Sequence, residues 1–164
     1  MFRFFTSTLL TVALAFATGG VLAQDFAKGL AAAQTGDFAT ALKEWRPLAE
    51  QGDATAQYHL GVTYTHGRGV LQDYAEAMTW YLRAAKQGQN NGRTGIGLLY
   101  EFGDGVLQDS VRAYMWYNIA SANGDKPAAE WRDKIAAKMT TADISKVQPM
   151  ARECISSNYK NCGW

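Results

Sequence analysis

The segment Gly61–Gly88 recurs thirty-six residues later as Gly97–Gly124. In one ungapped frame Gly61, Tyr64, Gly67, Gly69, Val70, Leu71, Gln72, Asp73, Ala77, Trp80, Tyr81, Ala84 and Gly88 meet identical residues at Gly97, Tyr100, Gly103, Gly105, Val106, Leu107, Gln108, Asp109, Ala113, Trp116, Tyr117, Ala120 and Gly124. Composition alone gives roughly two such coincidences, and a period of about 20 to 50 residues marks units that bury their apolar faces only by stacking on one another. A stacked array is therefore the constraint that any fold of this chain must meet.

Each unit makes physical sense as two helices. In the stretch from Ala54 to Tyr64, residues Gln57, Leu60, Gly61 and Tyr64 share one face at helical spacing. Gly61 lacks a side chain, so a second helix can approach closely there. Gly67 and Gly69 stop that helix, the first suiting a left-handed C-cap. Asp73 with Glu76 three residues on has capping-box spacing and starts the next helix. That helix sets small Ala77, Ala84 and Ala85 beside Trp80 and Tyr81, and Gly88 closes the unit; Trp80 and, one period on, Trp116 are expected as core anchors.

The run from Ala54 to Gln89, read as A-x-AQY-x-LG-x-x-Y-x-x-G-x-GV-x-x-D-x-x-x-A-x-x-WY-x-x-AA-x-x-G, resembles the Sel1-like repeat family, relatives of the tetratricopeptide repeats. Residues 90–125 carry the same pattern but begin with Asn90, Gly92 and Thr94 where the family has Ala, Ala and Tyr, which weakens the first turn. The resemblance implies an all-α, right-handed superhelical solenoid of antiparallel helix pairs, used for protein interaction. It implies no reaction and no cofactor.

The flanks are less regular. Met1–Ala23 places Arg3 before an apolar run from Leu9 to Ala17 and ends in Val21-Leu22-Ala23, the layout of a secretory signal peptide. The expected address is periplasmic or secreted, without membrane insertion after cleavage. Loss of Arg3, the one charge in that leader, leaves fifteen basic against fifteen acidic residues, a balance that argues against nucleic acid. Residues 24–53 read as a shorter, degenerate helix pair, with Asp37, Ala41, Trp45 and Gly52 near the repeat frame and a bend expected at Pro47. Residues 126–164 read as a final capping pair, one helix from Ala128 to Lys138 and one started by Thr140 with Asp143 and kinked at Pro149. Cys154 and Cys162, the only cysteines, form an even count eight residues apart in an exported chain, so a disulfide is expected to pin the tail over the open end of that pair.

Candidate chemistry is thin. His59 and His66 lie seven residues apart, but zinc needs three or four ligands and no cysteine or third histidine is near, so no metal is expected. Glu101 and Asp104 could pose as an acid–base pair, yet a helix end before a Gly-rich turn is normally solvated, so no catalytic residue is assigned. Gly103-Asp104-Gly105 lacks the lysine and hydroxyl of a phosphate loop, and Ser145 has no histidine partner at readable spacing. Two classes of function remain. One is a non-enzymatic protein-interaction module that scaffolds or regulates an envelope process. The other is a β-lactam-binding or hydrolysing enzyme of the cysteine-rich Sel1-like type, from which this chain departs because neither full repeat holds a cysteine. For the first, the concave stripe is expected about 100° around from the core face, at Tyr58, Val62 and Thr65 and, one period on, at Thr94, Leu98 and Glu101, facing a protein partner.

Overall fold

The computed structural model describes residues 17–163, with side chains described from Asp25 onward. The expected leader lies outside the described residues except for its last stretch, which is part of the first helix. Eight helices follow one another: α1 (Ala17–Gln34), α2 (Phe38–Glu50), α3 (Ala54–His66), α4 (Tyr74–Lys86), α5 (Asn90–Phe102), α6 (Ser110–Ala122), α7 (Lys126–Ala136) and α8 (Thr141–Ser156). No strand occurs among the described residues. From α1 to α7 each helix packs against the next, and α3 also touches α5, so the pairs form a solenoid. α2 and α8 run on through Pro47 and Pro149.

Aspartates set the helix starts. Asp37, Asp53, Asp73, Asp109 and Asp125 each accept a hydrogen bond from the backbone N–H three residues ahead, at 2.7 to 3.1 Å. Thr140 does the same for Asp143 at 3.1 Å. Such caps satisfy amides that a helix leaves unpaired at its first turn. The expected capping box at Asp73 forms only by half: the Glu76 carboxylate turns away from the cap and accepts from Trp80 Nε1 at 2.9 Å. Gln89 makes no side-chain cap, in keeping with a weaker start for α5. Gly67 and Gly103 close α3 and α5 in the left-handed region, at φ 63° and 75°.

One contact recurs along the array. A Cβ on Gly61 would lie 2.4 Å from the Tyr81 ring, and one on Gly97 would lie 2.5 Å from the Tyr117 ring. In the degenerate pair, a Cβ on Gly29 would fall 2.5 Å from Trp45 Nε1. Each missing methyl lets the second helix of a pair seat an aromatic ring directly on the backbone of the first. Trp80 belongs to the core shared with α2 and α3, while Tyr81 belongs to the core shared with α5 and α6, so adjacent residues tie successive repeats together.

The C-terminal end differs from expectation. α7 takes the place of the first helix of a third repeat, with Asp125 and Ala128 standing where Asp53 and Ala56 stand two periods earlier. α8 does not pair with it; both pack against α6. The disulfide joins Cys154 to Cys162, with Cα atoms 4.4 Å apart, yet the tail it holds folds back over the second repeat rather than over the open end of α7. Tyr159 stacks on Trp116 with ring centroids 5.7 Å apart. Its hydroxyl accepts from Arg93 Nε at 3.1 Å and Nη2 at 2.8 Å. Arg93 is thereby buried with its guanidinium held by oxygen acceptors, Asn90 Oδ1 at 2.6 Å among them.

Candidate binding groove

Tyr58, Val62 and Thr65 on α3 and Thr94 and Leu98 on α5 line one groove of about 510 Å³. Its floor exists because position 95 is a glycine: a Cβ there would lie 2.8 Å from the Tyr81 ring, which is left bare to face the hollow. One period earlier the same place is filled by His59, whose ring packs 4.7 Å from that of Trp45. One period later it is Trp131, whose ring meets Tyr117 edge-on at 5.6 Å and closes the far wall.

The sixth expected residue stands apart. Glu101 lines a neighbouring hollow with Leu98, Phe102, Trp131 and Lys134, and its carboxylate accepts from the Tyr117 hydroxyl at 2.6 Å. Thr65 is committed as well: its hydroxyl donates to the Gly61 carbonyl at 2.8 Å and lies 3.1 Å from the Tyr81 hydroxyl. Tyr64, expected in the core, is only half-buried, and its hydroxyl accepts from Arg46 Nη2 at 2.9 Å. The Tyr58 ring packs against His59 and Tyr81 while the residue borders the groove and a second hollow toward α1 and α2.

Burial raises the Tyr81 pKa to about 12, with the Thr65 hydrogen bond opposing. Burial, and then the nearby Asp125 charge, raises that of Tyr58. Burial also raises that of Tyr117, helped by its bond to Glu101. All three phenols stay protonated in neutral solution, and those of Tyr58 and Tyr81 give the groove hydroxyls without charge. Its formal charges come from Asp104, in the turn after α5, and Asp125, at the cap of α7.

Spacing within one repeat missed Tyr81, Phe102, Asp125 and Trp131 as lining residues. The signal for the last two was the thirty-six-residue frame itself, carried one step further into α7. His59 sits among the rings of Phe26, Trp45 and Tyr58, and burial lowers its pKa despite Asp53. His66 is exposed, with Nδ1 2.9 Å from the Val62 carbonyl. No group of three or more His, Cys, Asp or Glu residues suited to a metal occurs among the described residues. The disulfide lies in the tail and not within a repeat, so the kinship with cysteine-rich enzymes gains no structural counterpart. No helix among the described residues is long and apolar enough to cross a membrane.

The family model of the Sel1 repeat matches residues 54–89 and 93–125. No curated protein matches the chain. Among solved structures, a protective antigen present in uropathogenic Escherichia coli strains, displaying an SLR fold, superposes with a TM-score of 0.76 at 25% identity, over 87% of this chain and 32% of that one. A Sel1 repeat protein from Oxalobacter formigenes superposes with a TM-score of 0.65 at 35% identity, over 72% of this chain and 50% of that one. The chain thus spans a third to a half of the length of these two relatives. With two adjoining repeats matched in sequence and their helix pairs stacked as in solved SLR structures, the chain carries Sel1 repeats on an SLR fold.

Proposed function

We propose that the chain is a non-enzymatic protein-interaction module that acts outside the cytoplasm and receives a segment of its partner in the groove between α3, α5 and α7. The observation that carries this reading is the groove itself: a hollow of about 510 Å³, walled by aromatic and aliphatic side chains from three successive first helices. Concave, mostly apolar sites of a few hundred cubic ångströms are where ligands and side-chain anchors bind. Export is supported by the disulfide, which persists in oxidising compartments. Within that compartment the module scaffolds or regulates an envelope process.

The test is the paired substitution Val62→Asp with Leu98→Asp, in protein shown by circular dichroism to be folded. Both side chains are only partly buried, so the repeats should stack without them. Partners captured by the wild-type chain from its own envelope should be lost, with affinity falling at least a hundredfold when two apolar anchors meet carboxylates. Partners retained at unchanged affinity would place the binding face elsewhere.

A further inference from the structure

We propose that the occupant of this groove is a protein segment that carries a lysine or arginine beside an aliphatic or aromatic anchor. The proposal rests on the groove being the binding face and adds the chemistry of what enters it. Its floor and walls are Tyr58, Val62, Tyr81, Leu98, Phe102 and Trp131, which fit an apolar anchor. Its two edges each carry a carboxylate, Asp104 on the side where α5 ends and Asp125 on the side where α7 begins. No lysine or arginine lines it, and neither aspartate belongs to an ion pair among the described residues.

The acid at both edges is particular to this stretch of the array. One period earlier the place of Asp104 is held by Arg68 and that of Asp125 by Gln89. Arg68 borders the neighbouring hollow toward α2, with its guanidinium carbon 5.4 Å from the centre of the Phe38 ring. Lys134 lies on the other side, in the hollow beyond Trp131 that Glu101 shares. Arg68 and Lys134 therefore border neighbouring hollows without entering this one, whose lining carries the two aspartates and one histidine, His66.

Phe102 strengthens the argument. It is 65% exposed beside Asp104, a large ring left in water at the end of α5. A ring face next to a carboxylate attracts a guanidinium or ammonium twice over, by the ring quadrupole and by charge. The aspartates also keep acceptor capacity. Asp125 takes the Ala128 amide at 3.1 Å and the Thr94 hydroxyl at 3.2 Å, both neutral donors, and Asp104 lies near Tyr74, whose pKa it helps to raise after burial. A carboxylate offers about four lone-pair sites, so each can take a cation in addition.

The experiment is selection of a phage-displayed library of random peptides on the purified chain, followed by affinity measurement of the enriched peptides at low and high salt. Enriched peptides should place Lys or Arg within a few residues of Leu, Ile, Phe or Trp. The pair Asp104→Asn with Asp125→Asn should weaken them about three- to tenfold at low salt and remove most of their salt dependence. Asparagine keeps a capping oxygen at the start of α7, so that variant should fold as wild type does. Neutral or acidic peptides that are lost on Val62→Asp with Leu98→Asp overturn this proposal and leave the groove as the binding face. Peptides that bind that second variant undiminished overturn the groove reading itself. A selection that enriches nothing overturns both.

Discussion

Gly61, Gly97 and Gly29 sit inside helices, where glycine ordinarily costs about 1 kcal/mol relative to alanine. They are tolerated because the second helix of each pair rests its aromatic ring where a Cβ would be, 2.4 to 2.5 Å from Tyr81, Tyr117 and Trp45. Replacing any of them should therefore reverse the usual sign of a glycine substitution in a helix. Gly61→Leu is expected to destabilise the chain by about 3 kcal/mol through overpacking, read as a fall in the urea midpoint. An unchanged midpoint would mean that Tyr81 can swing away without loss. The same logic explains what was legible at this scale. Gly61 was readable as a close approach because its period partner Gly97 is also glycine, whereas Gly29 lies in a shortened unit whose frame is offset and gave no such pair. Gly95 was hidden for the opposite reason: its period partners are His59 and Trp131, three different ways of meeting the aromatic ring beneath them.

Helix starts follow the repeat with one exception. Gln89 has the extended backbone of a cap, φ −69° and ψ 108°, close to that of Asp53 at −64° and 113°, but its side chain caps nothing. Gln89→Asp should recover the missing bond to the amide three residues ahead and stabilise α5 by about 1 kcal/mol, seen as a higher melting temperature and slower amide exchange in that turn. No gain in either would show that the Asn90 and Arg93 side chains already satisfy that turn. At this scale the sequence was informative wherever local chemistry decides. Asp73, Thr140 and the glycine C-caps at 67 and 103 stand as spacing suggests. The fate of Glu76 was not readable, because the Trp80 indole offers its carboxylate a partner one helical turn away and wins over the cap. The order of α8 was not readable either. Amphipathic spacing says that a helix has a face to bury, and does not say whether α7 or α6 will cover it.

Across the whole molecule, packing runs from neighbour to neighbour except at the tail. Arg93 and Tyr159 are 66 residues apart, and no spacing rule links them. Tyr159 also adopts a left-handed backbone, φ 60°, after Asn158 at 52°. For a residue with a Cβ that conformation costs about 1 to 2 kcal/mol. Stacking on Trp116 and two hydrogen bonds to a buried guanidinium offset it, while the disulfide adds roughly 2.5 kcal/mol by closing an eight-residue loop. Tyr159→Phe keeps the stack and removes the oxygen, leaving Arg93 with fewer acceptors inside the fold. It should lower stability by about 1.5 to 3 kcal/mol with the disulfide intact, measured by denaturant titration without reductant. A change of a few tenths would mean that water reaches the guanidinium.

That contact also fixes an order of events during synthesis. A chain that grows from its N-terminus can close each helix pair as soon as the following helix emerges, because the partners are adjacent in sequence. The second repeat is the exception: Arg93 is made 66 residues before the oxygen that receives it. Until then Arg93 has only Asn90 Oδ1 and the Ala85 carbonyl as acceptors from the chain, and Trp116 lacks the ring that stacks on it. The first repeat can close before Tyr159 is made, and the second waits for that residue and for the oxidation of the two thiols that bracket it.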